Sequence, residues 1–388
     1  MLNSLKIKHF RALEDFSVAK LSRVNLIVGK NNSGKSTVLE ALQIYARNGD
    51  FRLLSTLAKS HDEPSRLDRE AMPHTRYDFP FASFFTGRVF PEGDEGIEIG
   101  ELESSQLLSI EHGYYTEWEE TISNETGETI SRQHLKRISK ADSASAEESS
   151  LVDALFIKKG ASQLGFFQLD GRISRRGLGG GVNAPYDLAC AFIPTGFISI
   201  NDLADEWDKI TLTEKQETVK EALRLIDPSF LDISFVRDER EDSRRYASQP
   251  LMRTAKVKLA GQPMPVPLGS MGDGMLRVLQ IILKVFSAQG GFLLIDEFEN
   301  GLHYSVQEKI WALIFKLAEQ LNIQVFATTH SWDCIESFTK VAVDNQSSEG
   351  VLFRMGRSVR TSDNGKVIAT VFDENQLQNI TQADVEVR

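Results

Sequence analysis

Residues 29–36 read GKNNSGKS and match the pattern G-x-x-x-x-G-K-[S/T]. The apolar run VNLIV at 24–28 precedes them, and residues 37–46 carry apolar side chains at helical spacing, so the motif stands between a predicted strand and a predicted helix. Glycines in such a turn let backbone N–H groups point at phosphate oxygens, and the positive end of the helix dipole adds to the attraction. The pattern predicts a phosphate-binding loop in an α/β fold. The alternative is a glycine-rich turn with a surface lysine.

Two side chains of this loop have predicted roles in holding phosphate. Lys35 is expected to contact the β- and γ-phosphates of a nucleotide, and the Ser36 hydroxyl is expected to coordinate Mg²⁺. The remaining predicted contacts in and beside the loop are Gly29, Asn31, Asn32, Ser33, Gly34 and Thr37.

A second stretch, FLLIDE at 292–297, is an apolar run that ends in two carboxylates. A buried parallel strand would place Asp296 and Glu297 at the carboxyl edge of the sheet, where α/β proteins bind their ligands. There Asp296 would hold Mg²⁺ through water, and Glu297 would orient or deprotonate the attacking water. The alternative is a pair of acids that stabilises a helix N-terminus.

Two further patterns fit a nucleotide site. Residues 270–274, SMGDG, open a helix, where Ser270 and Gly272 offer a hydroxyl and free N–H groups to a second phosphate. Since the chain already has one phosphate loop, this second site makes most sense against the γ-phosphate bound by a partner subunit. His330 follows the apolar run 325–329 and is placed to hydrogen-bond the γ-phosphate. The alternatives are an ordinary capped helix and a structural histidine at a strand end.

These motifs together resemble the ABC-type ATPases of the RecF, SMC and overcoming-lysogenization-defect (OLD) group, within the broad AAA-labelled ATP-binding proteins of bacterial phage-defence loci. The resemblance rests on GKNNSGKS, on GSMGDG at 269–274, on FLLIDE with the trailing FENGLH, and on ATTHS at 327–331. It implies ATP and Mg²⁺ as cofactors. It also implies that Lys35 and Ser36 belong to Walker A, Asp296 and Glu297 to Walker B, Ser270 and Gly272 to the signature, 299–303 to the D-loop, and that His330 is the switch histidine. KHFRAL at 8–13 resembles the N-terminal element of the group, which implies that Arg11 lies near the nucleotide.

The chain departs from that group at two points. No glutamine stands at the expected Q-loop, and the phenylalanine-rich segment 81–90 occupies its place in the sequence. The chain also ends 58 residues after His330 (388 − 330), which is too short for the nuclease domain that OLD enzymes append. The expectation is an ATPase head without its own nuclease.

The expected fold is an ABC-type P-loop ATPase head, in which an α/β core built from both chain ends carries an antiparallel β layer and a helical signature subdomain. The predicted division is an N-terminal lobe with Walker A (1–90), a variable, acidic, β-rich insert (91–195), a helical subdomain leading to the signature (196–275), and a C-terminal lobe with Walker B and His330 (276–388).

Several local elements are also predicted. Residues 50–90 are expected to be irregular with a hydrophobic anchor, 97–138 to form an antiparallel meander with a turn at 124–127, and 199–227 to be helical. TEKQ at 213–216 has the form of a capping box inside that helical block. The polar stretch 139–150 is expected to be a surface loop.

Composition limits the partners. The formal net charge of −11 argues against a wholly basic nucleic-acid binder, so contact with DNA would need a local cluster. The candidate clusters are Arg172, Arg175 and Arg176, and Arg244, Arg245 and Arg253. The alternative is solvated surface arginines paired with nearby acids. Two cysteines lie 144 residues apart (334 − 190) and no apolar run of membrane-spanning length occurs, so a cytoplasmic protein with no membrane contact is expected.

The expected function is a nucleotide-gated homodimer, or a higher homo-oligomer, that acts as a sensor or switch in phage defence or DNA metabolism and controls a separately encoded effector protein. One alternative is a RecF-like DNA-binding clamp in repair without a protein effector. A transporter ATPase subunit is a further alternative, which the degenerate signature and the large acidic insert fit poorly.

Overall fold

The computed structural model describes residues 1–61, 80–123, 129–138, 151–169, 188–237, 252–344, 349–363, 365–372 and 376. The strands are β1 (Leu5–Phe10), β2 (Leu13–Val18), β3 (Val24–Val28), β4 (Ile97–Gly100), β5 (Leu108–Ser123), β6 (Thr129–Ile138), β7 (Val152–Lys159), β8 (Ser162–Gln168), β9 (Cys190–Ile193), β10 (Phe230–Arg237), β11 (Arg253–Leu259), β12 (Val266–Pro267), β13 (Phe292–Ile295), β14 (Gln324–Thr329), β15 (Gly350–Arg357) and β16 (Val367–Phe372). The helices are α1 (Lys35–Ala46), α2 (Phe51–Ser60), α3 (Ile200–Ile210), α4 (Glu214–Arg224), α5 (Asp273–Ser287), α6 (Tyr304–Gln320) and α7 (Trp332–Asp344).

A six-stranded sheet in the order β16-β15-β3-β14-β13-β9 forms the core of the fold. Its strands run parallel, except that β16 is antiparallel to β15. Strands β3, β13 and β14 are buried at every position, as the continuous apolar runs predicted, because helices or other strands cover both faces. Leu26 and Leu293 pack into the cluster that contains α5 and α6, whereas Ile27 and Leu294 pack into the cluster that contains α1 and β1. The core is built from both chain ends, as predicted.

A seven-stranded antiparallel sheet in the order β2-β1-β4-β5-β7-β8, with β6 paired to β5, forms the second layer. Strands β4, β5 and β6 confirm the predicted meander, although its predicted turn lies outside the described residues. Strand β2 was missed because its alternating pattern is short and mostly polar. The four-part division of the chain stays a prediction. Strands from 1–90 and from 91–195 share this sheet, and β9 from the second segment joins the parallel sheet instead.

The region 50–90 is more ordered than expected. Residues 51–60 form α2, which the Asp50 side chain caps by accepting from the Leu53 N–H at 3.0 Å, so the expectation of irregular structure is wrong there. The predicted hydrophobic anchor is present, since Phe81, Phe84 and Phe85 are all buried. These aromatic side chains belong to the core around β1.

The predicted helical block 199–227 is two helices, α3 and α4. The predicted capping box is wrong: the Thr213 hydroxyl donates back to the Ile210 carbonyl instead of capping α4, and Gln216 accepts at 2.8 Å from the N–H of Leu212, which precedes the N-cap residue Thr213. A small sheet of β10, β11 and β12 follows and leads into α5. Helices α3 and α4 confirm the predicted helical block, and its role as a subdomain that leads to the signature stays a prediction. Within the described ranges, no helix is both long and apolar enough to cross a membrane.

Candidate nucleotide site

The loop between β3 and α1 has the shape of a phosphate cradle. Gly34 adopts φ 93° at the N-cap of α1, and within the described structure no side chain caps this helix, so its first N–H groups are open to a ligand. A Cβ on Gly29 would lie 2.6 Å from the Met355 carbonyl oxygen and 2.7 Å from Ser33 Oγ, so only glycine fits here without a shift. The buried Ser33 Oγ has no hydrogen-bond partner among the described residues, and a phosphate oxygen would give it one.

Lys35 lies folded over this loop. Its Nζ donates to the carbonyl oxygens of Gly29 at 2.8 Å and Lys30 at 3.1 Å. Partial burial lowers the pKa of Lys35, while the nearby charges of Asp296, Glu297 and Glu299 oppose that shift. A phosphate would supply the negative charge that the two carbonyl groups only partly replace.

Asp296 is the centre of the polar contacts next to the loop. Ser36 Oγ lies 3.1 Å from both carboxylate oxygens of Asp296, although the two residues are 260 positions apart. The Thr328 hydroxyl donates to Oδ1 at 2.7 Å and the Thr195 hydroxyl to Oδ2 at 3.1 Å. A serine hydroxyl beside a carboxylate is the oxygen donor set that Mg²⁺ takes when phosphates complete its coordination, so these residues fit the ion.

Thr195 was missed by the sequence reasoning. It follows β9, which pairs with β13 so that Ile193 stands opposite Ile295, and this pairing places the loop after Ile193 beside Asp296, whose carboxylate the Thr195 hydroxyl reaches. Its carbonyl oxygen accepts from Asn300 Nδ2 at 2.6 Å, which joins the loop after β9 to the predicted D-loop. The four-residue apolar run of β9 could have indicated a short buried strand. The sequence does not show that this strand pairs with β13, so it did not place Thr195 near Asp296.

Glu297, Glu299 and His330 form one group at the carboxyl edge of the sheet. His330 Nδ1 lies 3.6 Å from Glu297 Oε1 and 3.2 Å from Glu299 Oε1, and the His330 N–H donates to Glu299 Oε1 at 3.0 Å. The His330 side chain is 50% exposed and that of Glu297 35%, whereas that of Glu299 is only 11% exposed. Glu297, predicted to act on the attacking water, and His330, predicted to contact the γ-phosphate, are therefore neighbours and accessible to a ligand.

A cavity of about 460 Å³ lies between the phosphate loop and His330. Its lining residues are Val28, Gly29, Lys30, Asn31, Thr329, His330 and Ile335. Asn31 and Asn32 are exposed on the loop, and Thr37 is half-buried in the first turn of α1. The structure thus brings the predicted Walker A, Walker B and switch residues to one place.

Other predicted site residues are not part of this group. Arg11 pairs with Glu40 on α1 at 2.9 Å and lies over the Phe84 ring at 4.9 Å, contacts that hold it against the flank of the helix. The expected position of Arg11 near the nucleotide stays a prediction. Ser270 and Gly272 are exposed before α5 and do not line the described cavity.

The arginine clusters proposed for DNA contact are only partly visible. Arg253 pairs with Asp208 at 2.7 Å and lies 3.9 Å from Asp205, so its charge is already shared with acids of α3. The other arginines of the two clusters lie outside the described residues.

Comparison with known proteins gives matches over most of the chain. A protein-family model described as "AAA ATPase domain" matches residues 1–174, and another, "AAA domain, putative AbiEii toxin, Type IV TA system", matches residues 202–333. An ATP/GTP phosphatase of Helicobacter pylori is 23% identical over 358 residues, which is 88% of each chain. The DNA replication and repair protein RecF of Erwinia tasmaniensis is 25% identical over 375 residues, 88% of this chain and 96% of the relative. A solved SMC head bound to the C-winged helix domain of ScpA covers 96% of this chain and 98% of its own at 14% identity, with a TM-score of 0.45.

The site and the sequence matches lead to one conclusion about the reaction. The phosphate loop, the Ser36–Asp296 contact and the accessible Glu297 and His330 are arranged as in a P-loop enzyme. The matched ATPase domain model covers the segment that carries the loop. The chain is an ATPase with a P-loop α/β fold, and it is similar in sequence to RecF.

Proposed function

We propose that this ATPase works as a nucleotide-gated dimer, in which each ATP binds between the phosphate loop of one subunit and the signature of the other. The observation that supports this is the incomplete site: the described lining of the cavity contains no signature residue, while Ser270 and Gly272 stand exposed at the start of α5. A helix N-terminus with a free hydroxyl and N–H groups is suited to the γ-phosphate of a partner subunit. A two-fold axis would complete two equal sites at once.

Within each site we assign the roles as follows. Lys35 and the loop from Gly29 to Thr37 bind the phosphates. The other phosphate contacts within this loop are Asn31, Asn32, Ser33 and Gly34. Ser36 and Asp296 would hold Mg²⁺, which supplies charge neutralisation between the β- and γ-phosphates when bound. Glu297 orients or deprotonates the attacking water, and His330, next to Glu297, contacts the γ-phosphate.

The Glu297→Gln variant tests this mechanism. Loss of the base should slow hydrolysis by roughly 10²–10⁴-fold while ATP binding persists, so the variant should accumulate as a closed dimer. The measurement is light scattering after gel filtration with and without ATP and Mg²⁺, with Lys35→Ala as the control that should stay monomeric. Only monomer for Glu297→Gln and wild type alike, at saturating ATP, would contradict the dimer mechanism.

We further propose that the dimer is a sensor or switch that controls a separately encoded effector in phage defence or DNA metabolism. The support is the likeness to AAA-labelled proteins of phage-defence loci and the match to the AbiEii-type model across the signature and Walker B region. Affinity purification of Glu297→Gln from native cells should retain a stoichiometric effector, and Lys35→Ala should not. Equal retention by both variants, or no retained protein, would count against an ATP-gated effector.

A RecF-like DNA clamp is the second candidate, favoured by the similarity to RecF over 88% of this chain. Because the net charge is −11, DNA binding must use local positive charge, and closure of a dimer would about double the phosphates neutralised. The clamp predicts duplex binding that strengthens with ATP and has a steep salt dependence. Neutralising Arg172, Arg175 and Arg176 together should weaken that binding and leave basal hydrolysis unchanged. If the triple variant keeps the wild-type affinity for DNA at low salt, these arginines are not the DNA contact, and a protein would be favoured as the signal that the dimer senses.

A further inference from the structure

Arg277 is a charged residue in the middle of the core. It lies on α5, one turn after the signature, and its side chain is fully buried. Nη1 donates to the Pro194 carbonyl at 2.8 Å, and Nη2 donates to the carbonyls of Asp296 at 2.7 Å and Glu297 at 2.8 Å. Burial lowers the pKa of Arg277 to about 10, opposed by the charges of Asp296, Glu299 and Glu297, so the guanidinium stays charged near neutral pH.

The backbone that this arginine contacts is in an unusual conformation. Glu297 has φ 48°, in the left-handed region that residues with a Cβ rarely occupy. Four hydrogen bonds hold it there, one of them from the Asn300 N–H to the Glu297 carbonyl at 3.0 Å within the turn itself. The Glu297 N–H donates to Thr328 Oγ1 at 2.8 Å, the Phe298 N–H donates to the Thr328 carbonyl at 2.9 Å, and the Glu297 carbonyl accepts from Arg277. The turn that aims the Glu297 side chain is therefore fastened from β14 on one side and from α5 on the other.

We propose that Arg277 is a positioning residue for ATP hydrolysis, which holds the carbonyls of Asp296 and Glu297 so that the Glu297 carboxylate faces the attacking water. This rests on the proposed role of Glu297. The guanidinium fork reaches three carbonyls on two separate loops, which a lysine ammonium cannot reproduce with the same geometry. Because α5 begins at the signature, the same side chain links the helix that would meet the partner's nucleotide to the carboxylate of its own site.

The alternative is that Arg277 only stabilises the core. The two roles differ in what they do to the chemical step. If Arg277 only stabilises the core, its replacement should lower the stability of the fold and reduce the rate of hydrolysis by the same factor whether or not residue 297 carries a carboxylate. A residue that acts through Glu297 has no further effect on hydrolysis once that carboxylate is removed.

The test is a double-mutant cycle of Arg277→Lys and Arg277→Met, each made alone and combined with Glu297→Gln. A small displacement of a catalytic group costs up to about 100-fold in rate, so each Arg277 variant should lower kcat by about 10- to 100-fold, Met more than Lys. The dissociation constant of ATP should change by less than about 3-fold, since the phosphate loop keeps its contacts. In the Glu297→Gln background the same changes should alter the residual kcat by less than about 3-fold.

Gln280→Met is the matched control. Gln280 is fully buried one turn further along α5, and its side chain has no hydrogen-bond partner among the described residues. This variant disturbs the same helix without touching the three carbonyls, so kcat should stay within about 2-fold of wild type. All rates are measured at least about 10 °C below the lowest Tm of the set, with Tm determined for every variant.

Each outcome decides the inference. Equal fold-losses of kcat in both backgrounds, or a loss of ATP binding that accounts for the lower rate, would overturn it. Failure of both Arg277 variants to fold would show a core role and also overturn it. If Glu297→Gln alone hydrolyses ATP at the wild-type rate, the proposed role of Glu297 fails first, and the role of Arg277 fails with it. A slow Glu297→Gln with additive Arg277 effects refutes only the positioning role.

Discussion

The Gly29→Ala variant gives the sharpest test of the phosphate cradle. The added methyl carbon would lie 2.6 Å from the Met355 carbonyl oxygen and 2.7 Å from Ser33 Oγ. The serine side chain is short and can rotate away. Met355 cannot easily move, because its strand β15 is paired with β3 on one side and with β16 on the other. The clash with Met355 therefore decides the result.

The size of the effect follows from the distance. Real Cβ contacts essentially never lie under 3.0 Å, so the loop must retreat from Met355 by at least 0.4 Å (3.0 − 2.6). Overpacking of this kind costs about 1–3 kcal/mol. If the strain falls on the conformation that binds phosphate, affinity for ATP drops by roughly 5- to 150-fold. If it falls on the fold as a whole, the Tm should drop by about 1–4 °C.

The assay is equilibrium binding of a labelled ATP in the presence of Mg²⁺, together with thermal unfolding without nucleotide. The matched control is Gly356→Ala in β15, the strand that contains Met355. A Cβ at Gly356 would meet nothing within 4 Å, and φ is not positive there. This control variant should leave both ATP affinity and Tm near the wild-type values. Wild-type affinity and wild-type Tm for Gly29→Ala would refute the reasoning, because the close approach of Gly29 to β15 would then carry no strain.

Three further predictions concern the site and the helical subdomain. Lys35→Ala should abolish measurable ATP binding by equilibrium dialysis, because it removes the ammonium group that lies folded over the loop; affinity within a few-fold of wild type would contradict the Walker A assignment. Thr195→Val removes the hydroxyl that donates to Asp296 at 3.1 Å, so the Mg²⁺ concentration at half-maximal hydrolysis should rise about 2- to 10-fold, whereas Thr195→Ser should keep the wild-type value. Glu206, on α3, is partly buried, which raises its pKa, but hydrogen bonds from Ser287, Lys284 and Lys209 outweigh this and leave the pKa below its ordinary value of 4.5. Because the pKa of Glu206 is lower in the folded state, its carboxylate stabilises the fold above pH 4.5, and this contribution is lost as the pH falls. Glu206→Gln should therefore lower Tm at pH 7, and the difference from wild type should shrink below pH 4.5. A difference in Tm that does not depend on pH would contradict this prediction.

Much of the local chemistry of the site could be predicted from the sequence. The phosphate loop is set by near neighbours: an apolar strand, glycines that permit the turn, and a helix start that leaves N–H groups open. The acids after the apolar run 292–295 could also be placed at the carboxyl edge of a parallel sheet, because a buried strand delivers whatever follows it to that edge. The two motifs predicted that Ser36 and Asp296, 260 residues apart, would hold the same Mg²⁺. In the structure Ser36 Oγ lies 3.1 Å from Asp296 Oδ1.

Only the tertiary structure decided which distant backbone and side-chain groups support those residues. Thr195 reaches Asp296 because β9 pairs with β13 in one register, and strand pairing between segments about a hundred residues apart leaves no local pattern. Arg277 gave no signal, because arginine is usually exposed and its three acceptors are backbone carbonyls, which every sequence contains. The sequence by itself determined which groups can act on a phosphate. The packing of β9, β13 and α5 determined how those groups are held.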